Sequence, residues 1–426
     1  MQNAILAIHG GPVAVTAQPP PNKLHGPPEI GEEEIDAVTK VLRSQILFRY
    51  TENQAASVVA SFEKLFAEKT GAANVVAVNS GTSALICGLV GLGVSQGDEV
   101  LVPAYTYIAT ASAVLALGAV PVLVEVDSSL TMDVKDLAAK ISPRTSAIVP
   151  VHMRGMPSDM AGILEVANRH GIPVLEDCAQ ANGGTYRGKA LGRWGQAGAF
   201  SFQHFKIMTA GEGGALITDD RKTFERAAIY HDSAFTFWME TNPDFAHVKE
   251  SAFLGENYRQ SEVHAAIALE QLKKRDRILA RCRAIKRKLW GAFSLLPGAE
   301  MEMRHDEEGD CGISLAFFME NAQRAQDICA ILNAEGVDCG TRFSKSVPDR
   351  HIFYHWDYIM EHRSPHRNGF PWNGFEGSKS IAYSKDMCPQ TLSWMERLVV
   401  YPITQQMTDE FVDQTCSAIE KVARHI

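Results

Sequence analysis

FSFQHFKIMTAGEGGALITDD, Phe200 to Asp220, is the stretch on which the reading of this sequence turns. One lysine, Lys206, stands between an aromatic run and the turn-forming Ala210-Gly211-Glu212-Gly213-Gly214. An ordinary surface lysine has no need of Phe200, Phe202 and Phe205 around it. The pattern instead describes an amine held in place, on a chain that must double back at glycines where other residues are strained. Upstream of it, short apolar runs and amphipathic runs alternate. NVVAVNS, EVLVPA, AVPVLVEVD, TSAIVPVH and IPVLEDC read as strands, and the segments between them as helices. This rhythm predicts a largely parallel sheet covered on both faces, with ligands outside the carboxyl ends of its strands. The positions to watch are then Asn79-Ser80-Gly81-Thr82, Pro103 to Tyr107, His152 and Asp177.

Past the GGALITDD strand the pattern changes. A long helix is predicted over about residues 261–296, followed by a smaller α/β region with a strand at GISLAFFME and a closing helix at TDEFVDQTCSAIEKVARHI. Ahead of the alternation, AQPPPNKLHGPP is too proline-rich for a helix and reads as an extended arm. The division expected is an arm over 1–28, a large domain over 29–275 and a small C-terminal domain over 276–426.

The bulk numbers limit what such a fold is for. The 426 residues are too many for one small core, and 46% hydrophobic with 21% charged residues is an ordinary globular mix. With 41 Lys plus Arg against 50 Asp plus Glu, the net charge of −9 argues against nucleic acid or an anionic membrane as main partner. The eight cysteines are scattered, with no C-x-x-C pair, which reads as buried thiols in a reducing compartment and not as zinc ligands. Neither a signal peptide nor a membrane span is expected, since the longest apolar run is broken by Gly118 and Pro121.

Four features fall at pocket positions. NSGTSAL joins a strand end to a helix start, where free backbone N–H groups and hydroxyls suit a phosphate, although Ser and Thr also cap helices generally. Asp177 closes an apolar strand and either faces a buried cation or caps the next turn. Tyr107 is a stacking ring or a core ring, and Lys206 is the fourth. Together they describe pyridoxal phosphate, which takes a lysine at its aldehyde, a carboxylate at its ring nitrogen, an aromatic over its ring and an anion cradle.

The chain resembles the DegT/DnrJ/EryC1/StrS family of sugar and cyclitol aminotransferases, whose pattern F-S-F-x-x-x-K-x-x-x-x-G-E-G-G-x-x-x-T-D it carries at 200–219. NSGTSAL, VPAYTYIAT, LEDCAQANGG and GENYRQSEVHAAIALEQL match in order and spacing. The resemblance implies the pyridoxal-phosphate-dependent transferase fold of type I and an amine transfer from L-glutamate or L-glutamine to a keto or aldehyde carbon. It implies that Lys206 is the Schiff-base lysine and proton carrier, Asp177 the partner of the ring nitrogen and Gln180 the neighbour of the ring hydroxyl. Tyr107 would stack on the ring, and Gly81, Thr82 and Ser201 would hold the phosphate. In the family, GxNYR of one subunit reaches its neighbour's phosphate, so Asn257 and Arg259 imply a homodimer with shared sites. Members with histidine at the lysine position are dehydratases; here the residue is lysine. A dehydratase, or a cofactor-binding regulatory relative without catalysis, remains the alternative.

Three departures concern the substrate. Met153-Arg154 stands where many members have Leu-Tyr, so Arg154 either meets an acidic group on the substrate or pairs with an internal carboxylate. Arg363 to Pro389 is a long Gly-, Pro- and Asn-rich segment whose position suggests a cover over the substrate. His351, His355, His362 and His366 have H-x-x-x-H spacings, but Pro365 and the lack of nearby cysteine favour packing or substrate contact over a metal. The lean is toward a free cyclitol or keto sugar, acidic ones included, and SQILFRY and DMCPQTL resemble aminotransferases of eight-carbon sugar acids.

Overall fold

The computed structural model describes residues 5–51, 56–234, 249–373 and 382–426. Two helices lead, α1 Glu32–Ser44 and α2 Val58–Thr70, and then the predicted alternation begins. It runs through β1 Asn74–Val78, α3 Gly81–Gly91, β2 Glu99–Pro103, α4 Ala109–Ala116, β3 Val120–Val124, α5 Val134–Lys140, β4 Thr145–Ile148, α6 Met160–His170 and β5 Leu175–Asp177. After a two-residue hairpin, β6 Thr185–Tyr186 and β7 Lys189–Ala190, come β8 Ala197–Ser201, β9 Gly214–Thr218 and α7 Arg221–His231.

Strands β3, β2 and β4 pair in parallel, and parallel bridges Ile148–Val174 and Val151–Asp177 carry the layer on to β5. β5 is parallel to β8, and β9 lies between β8 and β1, antiparallel to both. The main layer is thus mostly parallel, with β9 the exception. Its strands are apolar throughout because both faces are covered: every residue of β2, β8 and β9 is buried. Apart from α4, which has no side-chain cap, the covering helices begin where a short polar side chain takes up free N–H groups. Ser57 caps α2, Ser80 α3, Asp133 α5, Asp159 α6 and Asp220 α7.

The helix Glu262–Phe293, 32 residues long, leads away from this layer. A second sheet of β10 Glu300–Met301, β11 Ser314–Phe318, β12 Gly340–Thr341 and β13 Leu398–Pro402 follows, in the order β10-β11-β13-β12 and wholly antiparallel. Helices Ala322–Ala334 and Asp409–Ala423 belong to this part. The N-terminal arm is fastened along it. The buried Glu335 carboxylate accepts from the N–H groups of Ala7 (2.8 Å) and Ala14 (3.1 Å) and from Lys421. Further along the arm, Gly26 N–H donates to the Lys206 carbonyl at 3.3 Å.

The segment Arg363–Pro389 departs from its expected role as a cover. Trp372 stacks on His362 (4.6 Å) and meets Tyr383 edge-on, and the Tyr383 hydroxyl donates to the Pro121 carbonyl at 2.6 Å. Phe370 fills the space beside Gly118. Gly118 and Pro121 are at the amino end of β3, so the described parts of this segment dock at the end of the sheet opposite the predicted site. Its aromatics Phe370, Trp372 and Tyr383 serve as anchors, and residues 374–381 lie outside the described residues. The histidines of this region likewise pack against rings: His362 on Trp372, His366 on Phe370 and His351 on Tyr107. No described helix is long and apolar enough to cross a membrane.

Candidate active site

The carboxyl ends of β1, β2, β5 and β8 bring the predicted residues to one side of the sheet. β8 shows how the local sequence does this. Side chains alternate along a strand, so Phe200 and Phe202 share one face and Ser201 takes the other. Phe200 and Phe202 are buried and meet Phe66 and Phe62 of α2 edge-on at 5.1–5.3 Å, while Phe205 is 69% exposed. The aromatics therefore do not wall in the lysine, as the sequence led us to expect. They pin the strand to the core so that the loop after it is fixed.

That loop is tight. Phe202 N–H donates to Gly213 O at 2.8 Å, His204 N–H to Gly211 O at 3.0 Å, and Lys206 N–H to Gln203 O at 2.9 Å. The glycines have geometric reasons: a Cβ at Gly214 would sit 2.4 Å from the Ser80 carbonyl oxygen, and Gly211 has a φ of +78°. The loop and the end of β1 can approach only because Gly214 has no side chain.

Ser201 faces the start of α3. A Cβ on Gly81 would fall 2.6 Å from the Ser201 Cβ, so the helix terminus and β8 are as close as glycine allows. Ser80 Oγ accepts from Ser83 N–H at 3.1 Å, and Ser83 Oγ donates to Asn79 Oδ1 at 2.6 Å. The N–H groups of Gly81 and Thr82 have no hydrogen-bond partner among the described residues. An eleven-residue helix thus aims free donors, with the positive end of its dipole, at a cradle lined by hydroxyls.

Asp177 is 4% exposed. Its Oδ1 accepts from Ala179 N–H at 3.0 Å and its Oδ2 from Thr110 Oγ at 2.9 Å. Burial raises its pKa above the usual carboxylate value; the two hydrogen bonds and the Lys206 charge oppose this only in part. Lys206 is the counterpart. Burial lowers its pKa and Asp177 partly offsets the shift. No hydrogen bond of its Nζ appears among the described residues. The two groups are in electrostatic contact, each destabilised as an ion by loss of water.

Tyr107 keeps 47% of its surface exposed, and its ring lies 5.2 Å from the His351 ring. One turn on, Thr110 N–H donates to the Tyr107 carbonyl at 3.1 Å, so one short stretch sets both the ring and the Asp177 carboxylate. Gln180 Oε1 accepts from Arg154 N–H at 3.0 Å. Tyr258 O accepts from Asn79 N–H at 2.8 Å, which brings Asn257 and Arg259 to the end of β1. Arg259 pairs with the buried Asp232 at 2.5 Å, and the Asn257 side chain is exposed.

Thr110 was not read from the sequence, and His351, expected to pack or to meet substrate, was read without its partner Tyr107. Thr110 was visible in YTYIAT as a hydroxyl one helical turn after Tyr107, but nothing in the pattern ties it to Asp177. His351 reaches Tyr107 because residues 350–353 run beside residues 104–108. Thr106 N–H donates to His351 O (2.9 Å), Ile108 N–H to Arg350 O (3.0 Å) and Phe353 N–H to Ala104 O (3.0 Å). That pairing has no local signature.

These residues suit pyridoxal phosphate. There is an amine of lowered basicity for its aldehyde, a buried carboxylate for its ring nitrogen, a half-exposed aromatic face, and unpaired N–H groups at a helix start for its phosphate. Comparison with known proteins agrees. Residues 28–366 match the family described as DegT/DnrJ/EryC1/StrS aminotransferases. Over 400 residues, covering 93% of this chain and 96% of the relative, the sequence is 31% identical to the spore coat polysaccharide biosynthesis protein SpsC of Bacillus subtilis. It is 43% identical to GDP-perosamine synthase of Caulobacter vibrioides over 227 residues, 52% of this chain and 58% of that one. The aminotransferase of Psychrobacter cryohalolentis superposes with a TM-score of 0.75 at 26% identity, covering 97% of this chain and 100% of that structure. The chain therefore belongs to the DegT/DnrJ/EryC1/StrS aminotransferase family, as a pyridoxal-phosphate-dependent enzyme of the type I fold.

Proposed function

We propose that this enzyme moves an amino group from L-glutamate or L-glutamine to a keto or aldehyde carbon of a sugar, cyclitol or sugar acid. The observation that carries the proposal is the Lys206–Asp177 pair: a desolvated amine with a free Nζ, and a desolvated carboxylate oriented by Thr110 and Ala179. Sugar-linked relatives, SpsC and GDP-perosamine synthase, support the acceptor class.

Pyridoxal phosphate, when bound, supplies the electron sink that lets an amino-bearing carbon lose a proton. The protein's part falls to named groups. Lys206 Nζ, made a weaker base by burial, would take the proton from the substrate carbon and hold it for return. Asp177 keeps the ring nitrogen protonated. Gln180 would stand by the ring hydroxyl, and Tyr107 would cover one face and exclude water there. Gly81, Thr82 and Ser201 hold the phosphate, joined by Asn257 and Arg259 of a second copy, so that a homodimer makes the complete site. The division we propose is an arm over 1–28, a cofactor-binding domain over 29–275 and a small domain over 276–426. It is supported by the long helix, whose Gln271 and Lys274 bind Glu34 of α1 while its Arg281 and Lys288 bind Asp409 and Asp413 of the last helix. All eight cysteines are free thiols, which supports a cytoplasmic setting.

The visible spectrum of the cofactor-loaded protein, recorded before and after L-glutamate or L-glutamine, tests the reaction. We expect loss of the absorption band of the lysine-linked cofactor, with release of a 2-oxo acid. A linked cofactor that no amino donor alters would overturn the proposal in favour of elimination or regulation.

A further inference from the structure

Beside Gln180 the molecule has a recess of about 240 Å³, walled by Tyr105, Arg154, Ser314, Arg342 and His351 among others. It is continuous with the site above through Gln180, which bonds Arg154, and through His351, which lies on Tyr107. Two of its walls are arginines from distant parts of the chain.

Arg154 sits there at a conformational cost. Its φ of 59° is in the left-handed region, where a residue with a Cβ is strained by roughly 1 kcal/mol or more. The Gln180 contact and a bond from Ser314 Oγ to its carbonyl hold it. Its side chain is 9% exposed, and Nε and Nη2 donate to Ser314 Oγ at 3.2 and 2.8 Å. Nη2 also forms a long ion pair with Glu302 Oε2 at 3.9 Å, while Glu302 Oε1 receives Lys286 at 2.9 Å. Nη1 is buried with no hydrogen-bond partner, although the Tyr105 hydroxyl is close by. A buried guanidinium donor left unpaired is costly, and sites retain such groups where a ligand completes them.

Arg342, at the exposed rim, makes no ion pair among the described residues. The one carboxylate on the wall, Asp349, is engaged by the backbone N–H of His351 at 2.9 Å and by its ring at 2.8 Å. Arg154 and Arg342 are therefore two cations with donors to spare, facing one small recess that also offers the Ser314 hydroxyl.

We propose that this recess is a carboxylate-binding subsite of the substrate, with Arg154 as the buried contact and Arg342 as the contact at the mouth. This rests on the aminotransferase reading above, under which the carboxylate belongs either to the amino donor or to a sugar-acid acceptor. A planar guanidinium is the group that reads a carboxylate by paired hydrogen bonds, and burial makes the pairing selective.

The test uses the cofactor-loaded wild-type enzyme, Arg342→Ala and Arg154→Lys. Three probes are titrated: 2-oxoglutarate, 5-keto-D-gluconate, and L-sorbose, which has a hydroxymethyl group in place of the carboxylate of 5-keto-D-gluconate. Binding is followed by the rise in thermal unfolding temperature, which needs no turnover, and KM and kcat are measured wherever a probe reacts. The expected result is tighter binding of a carboxylate probe than of L-sorbose to the wild type. That preference falls about 10- to 100-fold in Arg342→Ala, with KM moving and kcat nearly constant. A loss confined to 2-oxoglutarate assigns the subsite to the donor, and one confined to 5-keto-D-gluconate assigns it to the acceptor. Wild-type enzyme that binds neither carboxylate, or variants that bind all three probes as the wild type does, would overturn the subsite. An enzyme that binds carboxylates here yet never consumes an amino donor would instead overturn the amine-transfer reading and leave the subsite standing.

Discussion

Asp177 and Lys206 are each less stable as ions in the folded protein than in water, and the consequences are measurable at those residues. Lys206→Ala should reduce steady-state turnover by a factor on the order of 10³ or more, because no described group stands ready to take over the proton transfer; a rate assay with L-glutamate checks it. Asp177→Asn should slow the proton-abstraction step, seen as a lower single-turnover rate with L-glutamate. The same substitution should stabilise the cofactor-free protein at pH values above the folded pKa of Asp177. That pKa lies above its unfolded value, so the native state binds the extra proton between the two. Stability from this group then falls as pH rises through that window, and above the folded pKa the full cost of a buried carboxylate is present. Asparagine removes the charge and keeps one oxygen, which can accept from Ala179 N–H while its amide N–H group faces the Thr110 hydroxyl. The gain in thermal unfolding temperature should shrink as pH is lowered through the folded pKa, where wild-type Asp177 becomes neutral. Gly81→Ala should weaken binding of pyridoxal phosphate in a direct titration, since its Cβ would force α3 away from Ser201. Overpacking of this kind costs about 1–3 kcal/mol.

At the scale of elements, Glu262 does two things at once. It stands in the first turn of the long helix while its Oε1 accepts from Ser57 Oγ at 2.6 Å and its Oε2 from Val58 and Val59 N–H at 2.5 and 3.2 Å. One carboxylate thereby fastens the start of α2 to the start of the long helix, near the positive ends of both dipoles. Glu262→Ala should destabilise the fold by about 2–3 kcal/mol, since two backbone donors and a hydroxyl lose a charged acceptor; denaturant unfolding measures it. The elements were the part most open to reading in advance. The strand–helix alternation and the long helix follow from apolar periodicity, and Lys206, Asp177 and Gly81 were legible because each stands where a strand ends. The aromatic run was misread because its flanking position invited a picture of a wall, whereas strand alternation alone turns Phe200 and Phe202 into the core. Arg342 and the partner of His351 were out of reach for another reason. Residues 350–353 pair with 104–108, and Arg342 follows a strand that pairs with Val399 and Val400; such long-range pairing leaves no local trace.

For the molecule as a whole, the proposed homodimer rests on the family resemblance of the segment carrying Asn257 and Arg259, of which Asn257 is exposed. Size measurement by light scattering should give twice the 46.7 kDa of the chain. A sharper measurement mixes two inactive variants, Lys206→Ala and Asn257→Asp, after dissociation. If sites are shared, each mixed dimer contains one intact site, and an equal mixture recovers about a quarter of wild-type activity. No recovery, with mixed dimers demonstrated, would mean that each chain builds its site alone.

The backbone pairing of residues 350–353 with 104–108 has a consequence for how this enzyme can change its diet. The recess next to Gln180 and the wall that orients Tyr107 are stitched into one sheet of cloth, so a loop lengthened to admit a new substrate pulls on the ring that faces the cofactor. Divergence toward new acceptors should therefore proceed by exchanging side chains along residues 342–351 at constant length. Insertions should accumulate beyond Phe353, where the chain has left the wall and slack does no harm.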